Sequence, residues 1–179
     1  MKFKKFNFKI IKSTNNTAAR IIKQTNFKFG MVVAEKQLHG RGQYGRKWIS
    51  YKGNLFVSFF HPFDQNNLSI ERITKSNCNL VKKILSKYVK KEITFKKPND
   101  LLINKRKISG ILQEIVTKSD KTFLITGIGI NVIKNPNIKN YLTTNLYKIT
   151  GKKISKYELE NYLKLVFENR ISKLNKINN

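Results

Sequence analysis

KKPNDLLINKRKISGILQEIVTKSDKTFLITGIGIN, residues 96–131, is the stretch that decides the fold of this 179-residue chain. Pro98, Asn99 and Asp100 form a turn-prone triplet between EITFKK (92–97) and LLINKRK (101–107). Asn104–Lys105 makes a tight hairpin within the second segment, and Ser119–Asp120–Lys121 joins ISGILQEIVTK (108–118) to TFLITGIGINV (122–132). Links this short place consecutive strands antiparallel, because a parallel return needs a crossover of a dozen residues or more.

Outside this stretch, strands and helices alternate without internal repeats. KFNFKII (5–11) has a strand's period of two, and STNNTAARIIKQT (13–25) is a helix with Ser13 or Thr14 as N-cap and Ala18, Ile21 and Ile22 on one face. MVVAEKQ (31–37) is a short apolar strand. NLFVSFFHP (54–62) is apolar almost throughout, which predicts a strand buried on both faces. Ile70, Ile73, Leu80, Val81, Ile84, Leu85 and Tyr88 recur at helical spacing and predict a helix over 69–90. A last helix is expected over 156–174. Ser155 and Glu158 form its capping box, and Leu159, Tyr162, Leu163, Val166 and Phe167 its apolar face. The fold class is α+β: a central, largely antiparallel or mixed sheet with helices packed on one face.

Composition sets the outer bounds. Hydrophobic residues make up 40% and charged residues 26%, the profile of a globular domain, and no apolar run approaches the roughly 20 residues of a membrane span. The N-terminus alternates Phe and Ile with Lys and Asn and has no signal-peptide core. With a single cysteine, Cys78, a cytoplasmic setting is expected. The net charge of +27 raises nucleic-acid binding as a function class. Its lysines are scattered along the whole chain beside abundant Asn and Ile, however, which points to compositional drift.

HGRGQYGRKW (39–48) is the densest functional signal, with three glycines, two arginines and a lysine in ten positions. Gly40, Gly42 and Gly45 allow close backbone approach, and Arg41, Arg46 and Lys47 offer charge-assisted hydrogen bonds to carboxylate or phosphate. Trp48 either stacks on a heterocycle or plugs the core below. In isolation such a loop is more often a surface turn than a ligand loop, and it lacks the Gly-Lys-Ser/Thr ending of a Walker A loop. Lys107, just before an apolar strand, could neutralise a carboxylate and then a phosphate. The same segment alone also reads as an ordinary hairpin. GIGIN (127–131) is explained as well by a buried strand end. His39, His61 and Cys78 carry no partner pattern and are read as structural.

In this order and spacing, GRGxxGRKW, PND, RKxxGIL and GIGIN resemble the catalytic domain of biotin protein ligases, from Ser13 to Asn131. The resemblance implies a two-step reaction. Biotin's carboxylate attacks the α-phosphate of ATP to give biotinyl-5′-AMP, and a lysine of a biotin carboxyl carrier protein then displaces AMP. ATP and biotin are the implied substrates, with Mg²⁺ accompanying the nucleotide and no metal held by the protein.

By motif match, Ser13, Thr14, Asn15 and Gln37 fall at the biotin end, and Gly110, Ile111 and Leu112 form the strand beside it. Arg41, Gly42 and Gln43 belong to the loop expected to order over the adenylate. Trp48 packs at the adenine and Asn131 reads its edge. Lys107 matches the family's essential lysine, Asp100 the acid beside the incoming amine, and Asn99 its neighbour in the site. The implied catalytic set is Lys107, Arg41 and Asp100.

This chain departs from the family pattern at three points. Gln43 and Tyr44 stand where GRGRRG has two cations, and Lys97 stands where Trp usually precedes Pro-Asn-Asp. A single catalytic domain over residues 1–179 is expected, with neither an N-terminal winged helix nor a small C-terminal β-barrel. Specific DNA and membranes are therefore not expected as partners, and monomer and homodimer both stay open. A lipoate or octanoyl ligase on the related fold is the nearest alternative, against which the GRGxxGRKW loop speaks. A basic nucleic-acid-binding module is the alternative from another class.

Overall fold

A computed structural model describes residues 2–64, 69–139 and 141–177, with side chains to residue 173. The elements are β1 (Lys4–Ile11), α1 (Thr14–Gln24), β2 (Gly30–Gln37), β3 (Leu55–Pro62), α2 (Ile70–Leu85), β4 (Ile93–Lys96), β5 (Asp100–Ile103), β6 (Arg106–Lys118), β7 (Lys121–Ile130), α3 (Leu146–Thr150) and α4 (Lys156–Ile177). They build one seven-stranded sheet in the order β1-β2-β3-β7-β6-β5-β4. Only β1 and β2, joined across α1, run parallel; every other neighbouring pair is antiparallel. Asn104 and Lys105, both at positive φ (51° and 59°), close the β5–β6 hairpin foreseen from the sequence.

The expected single helical layer needs correction, because the helices divide between the two faces. On one face Met31, Val33, Leu55, Val57, Phe59, Ile128 and Ile130 meet Cys78, Val81, Ile84 and Leu85 of α2 and Leu159, Leu163, Phe167 and Ile171 of α4. Phe59 stacks on Phe167 with ring centroids 4.4 Å apart. On the other face Val32, Phe60, Phe123 and Ile125 meet Ala18 and Ile22 of α1. β3 serves both cores, which is why it is apolar at nearly every position. Its register sends Leu55, Val57 and Phe59 one way and Phe56 and Phe60 the other. The α1 helix is short, so much of its face of the sheet is left open for a site.

Element ends follow local chemistry. Ser13 is the N-cap of α1, its hydroxyl accepting from the Asn16 N–H, and Ser155 accepts from the Glu158 N–H at the start of α4. The α2 helix stops at Leu85 rather than 90: its last turn tightens, with the Tyr88 N–H reaching Leu85 O at 2.9 Å. Ile70, placed on the apolar face from the sequence, is 38% exposed at the open first turn. The α3 helix, only five residues long, carries no periodicity that a sequence pattern could reveal.

Two of the residues read as structural, His61 and Cys78, behave so, while His39 is exposed. His61 hydrogen-bonds the Pro62 carbonyl, and burial pushes its imidazole down to about 4, so it is uncharged at neutral pH. Cys78 is fully buried, and burial raises its thiol to about 12. A thiol-specific alkylating reagent should therefore leave native protein unmodified and label one site after denaturation. Labelling of the native protein at a rate comparable to the unfolded chain would contradict this packing. Among the described residues, no helix is long and apolar enough to cross a membrane.

Candidate active site

On the α1 face the centre of the sheet carries almost no side chains. Gly110 of β6 lies opposite Gly129 of β7, and Leu112 opposite Gly127. None of these glycines has a positive φ; space is what requires them. A Cβ would come within 2.5 Å of the Trp48 ring at Gly129, 2.8 Å of it at Gly110, and 2.2 Å of Asn15 Oδ1 at Gly127. Above this bare floor is a cavity of about 590 Å³, within the range of small-molecule sites.

One wall is the N-terminus of α1. The Thr14 N–H and hydroxyl both donate to Gln37 Oε1 (2.8 and 3.1 Å), and Gln37 Nε2 donates to Ser50 (3.3 Å), tying helix, strand and loop together. Asn15 is fully engaged below. Its Oδ1 accepts from Ser58 (2.5 Å), and its Nδ2 donates to Glu114 Oε2 (2.8 Å). The network reaches the loop through Arg41, which pairs with Glu114 at 2.7 Å and donates to Asn16 at 2.6 Å.

The roof is the 39–48 loop, folded as a small hairpin. Arg41 and Lys47 bridge, the Gly42 N–H donates to Arg46 O (2.7 Å), and the Trp48 N–H donates to Gly40 O (2.9 Å). Tyr44 and Gly45 form its tip at positive φ. Tyr44, the one aromatic side chain between His39 and Lys47, is 85% exposed and does not anchor the loop; polar contacts through Arg41 do.

Lys107 owes its position to a β-bulge. Leu101 pairs with Ser109 but Leu102 pairs with Lys107, so Ile108 is an extra residue. Strict alternation from Gly110 would send Lys107 to the α2/α4 face. The bulge instead buries Ile108 in that core and turns Lys107 into the cavity. Backbone bonds from the Lys107 N–H to Leu142 O and from the Thr144 N–H to Lys107 O hold it there (2.8 and 2.9 Å). Its Nζ lies 2.6 Å from Asp100 Oδ1 and 5.2 Å from the Trp48 ring. Asp100 also accepts from the Tyr141 hydroxyl, and burial followed by that bond pushes the phenol far above its usual range. Asn99 donates to Ile111 O at 2.7 Å, fixing the turn that presents Asp100.

Every site residue picked from the sequence lies on this one cavity. Ile111 adjoins it while its side chain belongs to the α2/α4 core. Asn131 donates to Thr144 O (3.0 Å), which leaves its buried Oδ1 without a hydrogen-bond partner, as is Trp48 Nε1. Arg41, Arg46, Lys47, Lys96 and Lys107 make the lining strongly cationic, with Asp100 its carboxylate. Such a lining suits a polyphosphate. Lys97, in place of the family's Trp, turns outward and reaches Glu71 at 3.3 Å, so no ring packs there. Sequence reading missed Ser58, Glu114 and Tyr141. Glu114 was accessible in principle, since it shares a strand face with Gly110 and Leu112; nothing local marks the other two.

With fold and site described, the chain is placed by its sequence: it belongs to the Biotin/lipoate A/B protein ligase family, whose pattern matches residues 7–131. Among curated relatives it is similar to the bifunctional ligase/repressor BirA of Bacillus subtilis, with 32% identity over 168 residues, 90% of this chain and 51% of that one. BirA of Escherichia coli is 34% identical over 102 residues, covering 56% of this chain and 32% of its own. This chain thus spans about half, or less, of the curated relatives it matches. Among solved structures, the biotin protein ligase of Aquifex aeolicus in complex with biotin and ATP superposes with TM-score 0.74 at 32% identity, covering 94% of this chain and 68% of that one. The Leishmania major enzyme with biotinyl-5-AMP gives 0.75 at 26% identity, covering 90% and 73%.

Proposed function

We propose that this chain activates biotin with ATP as biotinyl-5′-AMP and transfers it to a lysine of a biotin carboxyl carrier domain, in the cytoplasm. The observation that carries this reading is the make-up of the cavity above the glycine floor. Its α1 end is neutral and hydrogen-bonding, its middle holds the Lys107–Asp100 pair, and its remaining lining is cationic. Biotin's ureido ring has two N–H donors and a carbonyl acceptor, which match the Ser13 and Thr14 hydroxyls. A lipoyl or octanoyl chain offers no hydrogen bond to the Ser13 O–H or to the remaining lone pair of the Thr14 oxygen, capacity that the Asn16 and Gln37 contacts leave unused.

In the first step two anions must approach, and Lys107 with the loop cations offsets their repulsion. Mg²⁺ enters as part of the nucleotide. The described residues include no cluster of three His, Cys, Asp or Glu, so phosphate oxygens would be its main ligands. The unpaired Asn131 Oδ1 would accept from the adenine amino group, and Trp48 would cover the ring. In the second step Asp100 sits where the acceptor amine arrives. The loop excludes water from the anhydride meanwhile.

Biotin-dependent ATP–pyrophosphate exchange tests the proposal. Exchange with biotin but not lipoate is expected. Exchange with lipoate alone would favour the neighbouring chemistry, and polynucleotide affinity without exchange would favour nucleic-acid binding.

Gln43 gives a finer expectation. It lies at the loop's turn with a buried, unbonded Oε1 and no charge, so it holds an adenylate less firmly than a cation would. Gln43→Arg should slow release of biotinyl-AMP severalfold in a single-turnover experiment and leave the transfer rate constant unaltered. An unchanged release rate would mean that position 43 does not retain the intermediate.

A further inference from the structure

The Lys107–Asp100 pair has a third member whose purpose the two-step reaction alone does not explain. Asp100 is buried, with Lys107 Nζ at 2.6 Å from Oδ1 and the Tyr141 hydroxyl on Oδ2. Tyr141 is presented by the segment whose Leu142 and Thr144 backbone bonds straddle Lys107, so phenol and lysine are carried on one hydrogen-bonded frame. The ring is flanked by two ammonium groups, Lys96 Nζ at 4.6 Å and Lys107 Nζ at 5.4 Å from its centroid. With its phenol raised, Tyr141 stays protonated and remains a donor.

Lys107 is needed at the carboxylate and α-phosphate when adenylate forms, and it cannot then also hold Asp100. We propose that Tyr141 is a positioning residue for the transfer step, keeping Asp100 in place once Lys107 has turned to the phosphate. This rests on the function proposed above.

In the step, Asp100 takes a proton from the incoming lysine ammonium. The freed lone pair forms the amide C–N bond while the acyl–phosphate C–O bond breaks, its electron pair leaving on AMP. The second proton shed by nitrogen goes to the AMP phosphate or water. Without the Tyr141 hydroxyl, Asp100 is free to rotate away from the amine when its lysine partner departs.

The test is Tyr141→Phe, which keeps the ring and both cation contacts but removes the hydroxyl. The half-reactions are followed separately: pyrophosphate exchange for adenylation, and single-turnover transfer from preformed biotinyl-AMP to the acceptor domain. The transfer rate constant should fall about tenfold or more, and by a far larger factor than adenylation. With hydroxylamine as acceptor, an amine that arrives unprotonated, the deficit should largely disappear. In the background of Asp100→Asn, Tyr141→Phe should cost transfer nothing further.

Equal losses in both half-reactions, or a deficit that persists with hydroxylamine, would reduce Tyr141 to a structural part and overturn the assignment. An undiminished transfer rate would overturn it too. If wild-type protein shows no biotin-dependent exchange, the ligase reading fails first, and that outcome is read before any variant is made.

Discussion

Alanine at position 107 should lower biotin-dependent pyrophosphate exchange by about 10²-fold or more. One preorganised charge aimed at a developing transition state is typically worth about 3 kcal/mol, and no other lysine is turned into the cavity by the bulge that places Lys107. Lys107 contributes little to the core, since its side chain faces the cavity and is 21% exposed. Asp100 loses its cation in the variant but keeps the Tyr141 hydroxyl and access to cavity water. The stability cost should therefore stay near 1–3 kcal/mol, readable as a modest drop in thermal midpoint. Near-normal exchange in a folded Lys107→Ala protein would sink the role given to this residue.

Gly127→Ala should disable the opposite end of the cavity. The new Cβ would lie 2.2 Å from Asn15 Oδ1, and Asn15 is held on the first turn of α1, where the backbone has little room to yield. Moving its side chain breaks the bond from Ser58, which is fully buried, and the bond to Glu114. Each buried polar group left without a partner costs about 1–3 kcal/mol, so stability should fall by about 2–4 kcal/mol in urea titrations. Glu114 also holds Arg41, so the disturbance passes to the loop. Biotin binding measured by calorimetry should weaken at least tenfold. Wild-type stability together with wild-type biotin affinity would show that Asn15 moves aside at no cost.

Much of this architecture is written locally. Asn104–Lys105 and Ser119–Asp120 specify their hairpins, the all-apolar run of β3 announces a strand between two cores, and the Ser13 and Ser155 caps start their helices. These features depend on neighbours in the chain, and a linear reading captures them. The motifs around Arg41, Asp100, Lys107 and Asn131 were equally legible, because in order and spacing they resemble a known family pattern, and the structure brings them onto one cavity.

Other features depended on pairing between distant strands. The α1 helix takes the face opposite α2 and α4, because the parallel β1–β2 crossover and the register of β3 against β7 set which residues point where. Lys107 looks from its sequence like one more hairpin lysine; a single extra residue, Ile108, in the ladder with β5 reverses its face. Gly110, Gly127 and Gly129 are needed for the atoms of Trp48 and Asn15 that fold down on them, and Tyr141 reaches Asp100 from 41 residues away. The sequence alone determined most of the elements and the motifs that carry the family resemblance. Which side chains share the cavity was decided only when the chain closed on itself, since register and bulge act through hydrogen bonds between segments that no local pattern connects.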